Sequence, residues 1–188
     1  MPTMDYDKAT RLQYDDSTLS VGESVYSRKA IQSTGLSTSS GSLRMTFFTA
    51  GKTETVTQVR MISGGTAAAA TPTLVRVGIY QVDDATGDLT LVASTPNDTT
   101  LLAATNTVYT KALSAPFTKY KGTRYAVGLL VVTAVATPTM VGNNGAPASE
   151  VFQAPHMAAY SAQTDLPATI TDASLTSGAS IIYFVLLP

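Results

Sequence analysis

The chain has 188 residues, 44% hydrophobic and 13% charged, with a formal net charge of −1 and no cysteine. A domain of that length buries a core without covalent staples, and its charged share is well below the usual value of about 25%. The balance excludes a basic nucleic-acid stripe, a disulfide scaffold, thiolate chemistry and a cysteine-based zinc site.

Residues 1–22 are polar and hold Asp5, Asp7, Asp15 and Asp16 without a period, which reads either as a flexible terminus or as an N-terminal arm that docks on a neighbouring subunit or larger assembly. No basic stretch followed by an apolar one occurs there, so no secretory signal is expected. Tyr6, Leu12 and Tyr14 are the arm's candidate docking anchors, with Leu19 beside them.

A domain over 23–188 follows. Ser24 to Ile31 is the first strand candidate, and STSSG, Ser37 to Gly41, is a turn or loop. Ser42 to Thr49 sets Leu43, Met45 and Phe47 against Arg44, Thr46 and Phe48, the period of a strand. Gly51 and Lys52 turn the chain into a strand over Glu54 to Ser63. Its alternation slips between Val56 and Val59, which predicts a β-bulge. GGTAAAATPT, Gly64 to Thr73, is a loop, because four alanines are too few for a stable helix.

Leu74 to Val82 is a strand with Val75, Val77 and Ile79 on one face and Leu74, Tyr80 and Val82 on the other. DDATGD, Asp83 to Asp88, joins it to a return strand over Leu89 to Thr95. Asp offers local side-chain hydrogen bonds and Gly87 a positive φ, so a hairpin turn is expected. A calcium loop would need a closing bidentate glutamate at the right distance, and none follows. Strands over Val108 to Leu113 and Phe117 to Tyr120 flank Pro116. RYAVGLLVVT, Arg124 to Thr133, is apolar on both faces, as in a central strand. The longest apolar run, Tyr125 to Ala136, falls short of the roughly 20 residues a bilayer span needs.

Residues 137–180 are rich in Gly, Pro, Ala, Asn and Ser, with little period. Such a long irregular region is often functional or interface-forming, so Asn143, Asn144, Phe152, His156 and Tyr160 are candidate loop contacts. IIYFVLL, Ile181 to Leu187, is a strongly apolar strand that should complete a sheet. Many short strands and almost no helical period predict an all-β, antiparallel β-sandwich. The jelly roll is the first reading and the immunoglobulin-like sandwich the second.

No reaction emerges from the residue types. His156 is the only histidine, and Ser161 and Asp165 near it form a triad only on paper, since nearness in sequence is no evidence for one. One histidine without clustered carboxylates does not make a typical zinc site. A hydrolase would draw on Glu54, Glu150 or His156, but most acids fall in the arm or in turns. Phe152, Tyr160 and Tyr120 are the aromatics available to stack on sugars, though the chain has no tryptophan. The expectation is a non-enzymatic protein without cofactor or metal.

Three strings resemble a known family: TFFTAGKTETVTQVR from Thr46, GGTAAAATPTLVRVGIY with GDLTLVASTPNDTTL behind it, and GTRYAVGLLVV from Gly122. Over about Leu43 to Val141 the chain resembles minor tail proteins of tailed phages infecting actinobacteria, mycobacteria among them. The strings are structural, so no residue roles are carried over. The resemblance implies a virion protein made in the host cytoplasm, a tail-tip or fibre module. It would assemble as a homotrimer with other virion proteins and present loops to a host-surface glycan. Neither nucleic acid nor membrane insertion is expected. A capsid decoration protein and a carbohydrate-binding module are the alternatives.

Overall fold

The computed structural model of the chain describes residues 22–27, 31, 33–68, 72–144, 156–177 and 180–188. In chain order the strands are β1 (Glu23–Ser24), β2 (Ser33–Ser37), β3 (Leu43–Thr49), β4 (Glu54–Ile62), β5 (Leu74–Val82), β6 (Leu89–Ser94) and β7 (Val108–Lys119). They continue with β8 (Arg124–Val132), β9 (Thr139–Asn143), β10 (Met157–Tyr160), β11 (Thr169–Ile170), β12 (Thr176–Ser177), β13 (Ile181–Ile182) and β14 (Phe184–Leu187). Among the described residues the one helical turn is Asp172–Ser174.

The strands form three antiparallel sheets, ordered β1-β14-β4-β7, β11-β6-β5-β8-β3-β10-β12 and β13-β9-β2. The first two sheets make the antiparallel β-sandwich expected from the sequence, and the third links to β4 through a bridge between Ser63 and Met140. The chain crosses between the main sheets at β3–β4, β4–β5, β6–β7 and β7–β8. As a result β5 pairs with β8 in one sheet and β4 with β7 in the other. These are Greek-key crossovers, the kind from which jelly rolls are also built.

Alternation decides which residues face inward. Val75, Val77 and Ile79 of β5 and Val127, Leu129 and Val131 of β8 meet Val56, Val59 and Met61 of β4 and Phe184 and Leu186 of β14. All are buried, each worth roughly 1.5–3 kcal/mol for a full aliphatic or aromatic side chain. Tyr125 closes one end of this layer, its ring 5.9 Å from Phe48 and 6.0 Å from Phe117.

The same sheet buries its other face. Leu43, Met45, Phe47, Tyr80, Val82, Leu89, Ala126 and Leu130 form a second apolar layer with Ala158 and Ile170. The segment 156–177 makes this possible. It leaves β3 as β10, crosses to β6 as β11, and returns to β10 as β12. Tyr80 Oη donates to Pro167 O at 3.2 Å, Arg76 Nη1 meets Asp165 Oδ1 at 2.6 Å, and Gln163 N donates to Gly41 O at 2.7 Å. Beneath the strap Gly78 and Gly128 are register partners. A Cβ on Gly128 would stand 2.7 Å from Leu43 Cδ1, so the absence of a side chain there admits the outer layer.

Several sequence expectations are corrected. Within Ser24 to Ile31 the described residues form strand only at Ser24, and STGLS, Ser33–Ser37, is strand β2, which takes Ser37 out of the expected turn. Among its described residues the region 137–180 holds four strands, β9 to β12. β7 runs through Pro116 as one strand. The bulge foreseen between Val56 and Val59 lies there, but the extra residues are in β7, where Ala112 to Phe117 spans only Gln58 to Val56. Ile181 to Leu187 bends at Tyr183, pairing first with β9 and then with β4 and β1.

Candidate functional site

The Asp83–Asp88 turn is a hairpin turn. Asp83 Oδ1 accepts the N–H groups of Ala85 and Thr86 at 2.8 and 3.0 Å, which holds its carboxyl below the usual range. Gly87 sits at φ 79° and donates to Asp83 O. Asp88 Oδ1 accepts the N–H of Asp172 at 2.9 Å, tying the turn to the strap. Arg124 stacks 5.0 Å over Phe47, near Asp84 and Asp172. Burial lowers its pKa, and the two acids act against that shift.

The paper triad falls apart. His156 and Ser161 flank the four-residue strand β10, so roughly 15 Å of extended chain separates them. Asp165 is committed to Arg76 and to the N–H of Leu166. His156 is exposed, and its carbonyl accepts the N–H of Phe47 at 2.9 Å. Tyr160 is half-buried against the outer apolar layer, paired in register with Leu43. Asn143 Nδ2 lies 3.4 Å from Tyr26 Oη, and Asn144 Oδ1 accepts Ser180 Oγ at 3.2 Å. These two asparagines are together, and the structure does not bring His156 or Tyr160 to them through any contact shown. Tyr6, Leu12, Tyr14, Glu150 and Phe152 lie outside the described residues.

An opening of about 250 Å³ separates β6 from the bulge of β7, lined by Leu91, Val92, Ala93, Ser94, Ser114 and Ala115. It is smaller than the roughly 300–1,000 Å³ of ligand pockets and has no titratable lining residue. Among the described residues no group of three His, Cys, Asp or Glu side chains is placed to hold a metal ion.

The two ends of the sandwich differ more than any pocket does. At one end lie the turns 50–53, 83–88 and 120–123, with Lys52, Asp83, Asp84, Asp88, Lys121, Arg124 and Asp172. Gly22 enters there, at φ 91°, with no room for a Cβ between Leu186 O and Leu187. Tyr120, 60% exposed, projects from the same end. At the other end lie loops 38–42, 63–68, 95–107 and 133–138, whose one charged residue is Asp98, with Arg44 donating to Ser39 Oγ and Arg76 to Thr95 O at their edge. Lys111 Nζ pairs with Asp98 at 2.5 Å, and that contact with the Thr100 hydroxyl holds its pKa down at about 2.

These sparsely charged loops are bonded into one unit. Ser63 Oγ donates to Ala104 O, Asn106 N to Gly64 O, Ala68 N to Leu102 O and Thr139 N to Thr66 O, at 2.7 to 3.0 Å. Leu102, fully buried at φ 69°, is a bulky residue in left-handed backbone, a strained position that the surrounding bonds impose. Val135 and Val108 stand exposed at the rim. The sequence marked none of this as a site, because its Thr, Ala and Gly residues read only as loop.

One cluster was not foreseen as a cluster from the sequence. Lys119, at 0% exposure, meets Glu23 Oε2 at 2.6 Å and Glu54 Oε2 at 3.4 Å, and its ammonium donates to Lys52 O at 2.9 Å. Gly51 N donates to Glu23 Oε1 at 2.6 Å, and Lys52 Nζ holds Glu54 Oε1 at 2.8 Å. Of its members only Glu54 was a sequence candidate, and the β4–β7 register that sets it opposite Lys119 is a property of the fold.

No protein-family model and no curated protein matches the chain.

Proposed function

We propose that this chain is a structural, non-enzymatic virion protein of a tailed phage, a minor tail or tail-fibre component. In this reading it assembles as an oligomer, anchored by residues 1–22 and contributing loops to host-surface recognition. The resemblance over about Leu43 to Val141 suggests the family. The observation that carries the reading is the two-ended sandwich. Gly22, where the segment 1–22 ends, sits at the charged end, and the opposite end is a platform of cross-bonded loops with one charged residue of their own. A rigid scaffold that presents loops away from its point of attachment suits an attachment module.

The test is gold-labelled antibody imaging of intact virions with serum raised against this chain. Label at the tail end is the expected result. Label over the head would overturn the tail assignment in favour of capsid decoration. Deletion of residues 1–22 is expected to abolish incorporation while the isolated domain stays folded.

A further inference from the structure

We propose that Lys119 and Glu23 condense spontaneously into an intramolecular isopeptide bond, with Glu54 as the proton relay. The geometry carries the inference. A lysine with no exposed surface faces two carboxylates, Glu23 at 5% exposure and Glu54 at 16% in its side chain. As a mere ion pair the arrangement is a weak stabiliser, since the desolvation of buried charges offsets their attraction. Both Glu23 Oε2 and Glu54 Oε2 are buried without a hydrogen-bond partner, although Lys119 Nζ lies 2.6 and 3.4 Å from them. A buried polar atom left in that state calls for a chemical reason.

Each part of an acyl transfer is present. Gly51 N–H points at Glu23 Oε1, the oxygen that takes the negative charge when Nζ attacks Cδ. Glu23 Oε2, the atom to be expelled, is the one beside the amine. Lys52 O orients Nζ, and Lys52 Nζ fixes Glu54 by its other oxygen. Glu54 takes a proton from the Lys119 ammonium, the amine attacks Glu23 Cδ, and the C–Oε2 bond breaks as Glu54 delivers protons to Oε2. Of the three ammonium protons, one stays on the amide nitrogen and two leave on water, and Glu54 ends ionised as it began. No oxidant or co-reactant is needed. Orientation in a site of this kind is equivalent to an effective concentration on the order of 10⁵–10⁸ M.

The bond would join β1 covalently to β7 at the end where Gly22 lies. The experiment is the intact mass of the purified, folded full chain, followed by proteolysis and fragment sequencing. The expected mass is lower than that of the sequence by one water, with a branched peptide joining the Glu23 and Lys119 segments. Lys119→Arg and Glu54→Gln are expected at full mass, and Glu23→Gln is expected to lose one ammonia instead. A full-length mass for the wild-type chain overturns the proposal whether or not the variants fold. Water loss mapped to another pair of residues overturns it too, and condensation at wild-type extent in Glu54→Gln overturns the relay.

Discussion

The seven-stranded sheet carries two apolar layers, and they are closed in different ways. On its inner face, strand meets strand. β4 and β14 cover β5 and β8, and every covering residue is fixed by a ladder as well as by packing. On its outer face a single strap does the covering, with Ala158, Leu166, Ile170 and Leu175 laid over Leu43, Met45, Tyr80 and Leu130. Short ladders at β10, β11 and β12 and a few side-chain bonds hold it. Equal burial therefore rests on unequal support. The inner layer should fail only with the whole domain, whereas the outer layer has its own local opening.

Substitutions on the two faces sharpen this contrast. Phe184→Ala, at a fully buried inner position, should cost about 3–5 kcal/mol, read as a shift in the urea midpoint. Gly128→Ala adds a Cβ 2.7 Å from Leu43 Cδ1 and 2.8 Å from Met45 Cγ on the outer face, and should cost about 1–3 kcal/mol. A neutral result there would mean that the strap yields more readily than the packing implies. Tyr80→Phe removes the bond to Pro167 O and should cost about 1 kcal/mol. Its signature is faster amide exchange over residues 160–170 with strands β4 and β14 unchanged, and uniform loss of protection would contradict the division into two layers.

The smallest effect is at neither face but at the sparsely charged end. Asp98 is depressed from 3.8 to about 2, so its pair with Lys111 stabilises the fold above pH 4 and is lost as pH falls towards 2. Asp98→Asn should remove that acid-side slope and cost no more than about 1 kcal/mol at neutral pH, because both side chains remain partly solvated.

The inner layer was legible and the outer one was not. Val75, Val77 and Ile79 alternate, and the Asp83–Asp88 knot ends their strand with turn chemistry, so the β5–β6 hairpin could be read directly. That Arg124 to Val132 is apolar on both faces was also readable, but not what covers the second face. The strap's contact residues fall at irregular intervals among Pro, Ala and Thr, so no period announces them. β2 was missed because Gly35 weakens the strand pattern and only Leu36 of STGLS is buried, so no apolar alternation marks it. Lys119 was missed because lysine ordinarily stays in water, and Glu23 reaches it only through tertiary folding.

The place of β14 between β1 and β4 has a consequence for biosynthesis. β1 is among the first described segments to leave the ribosome, yet its ladder partner is made more than a hundred residues later. At roughly 5–20 residues per second, the nascent chain carries β1 and one edge of β4 without partners for several seconds or more. The β5–β8 sheet can assemble in that interval, since all its strands precede β14. The four-stranded sheet closes only after residue 187 is added, and a chain halted before Phe184 would offer an open β4 edge to its neighbours on the polysome.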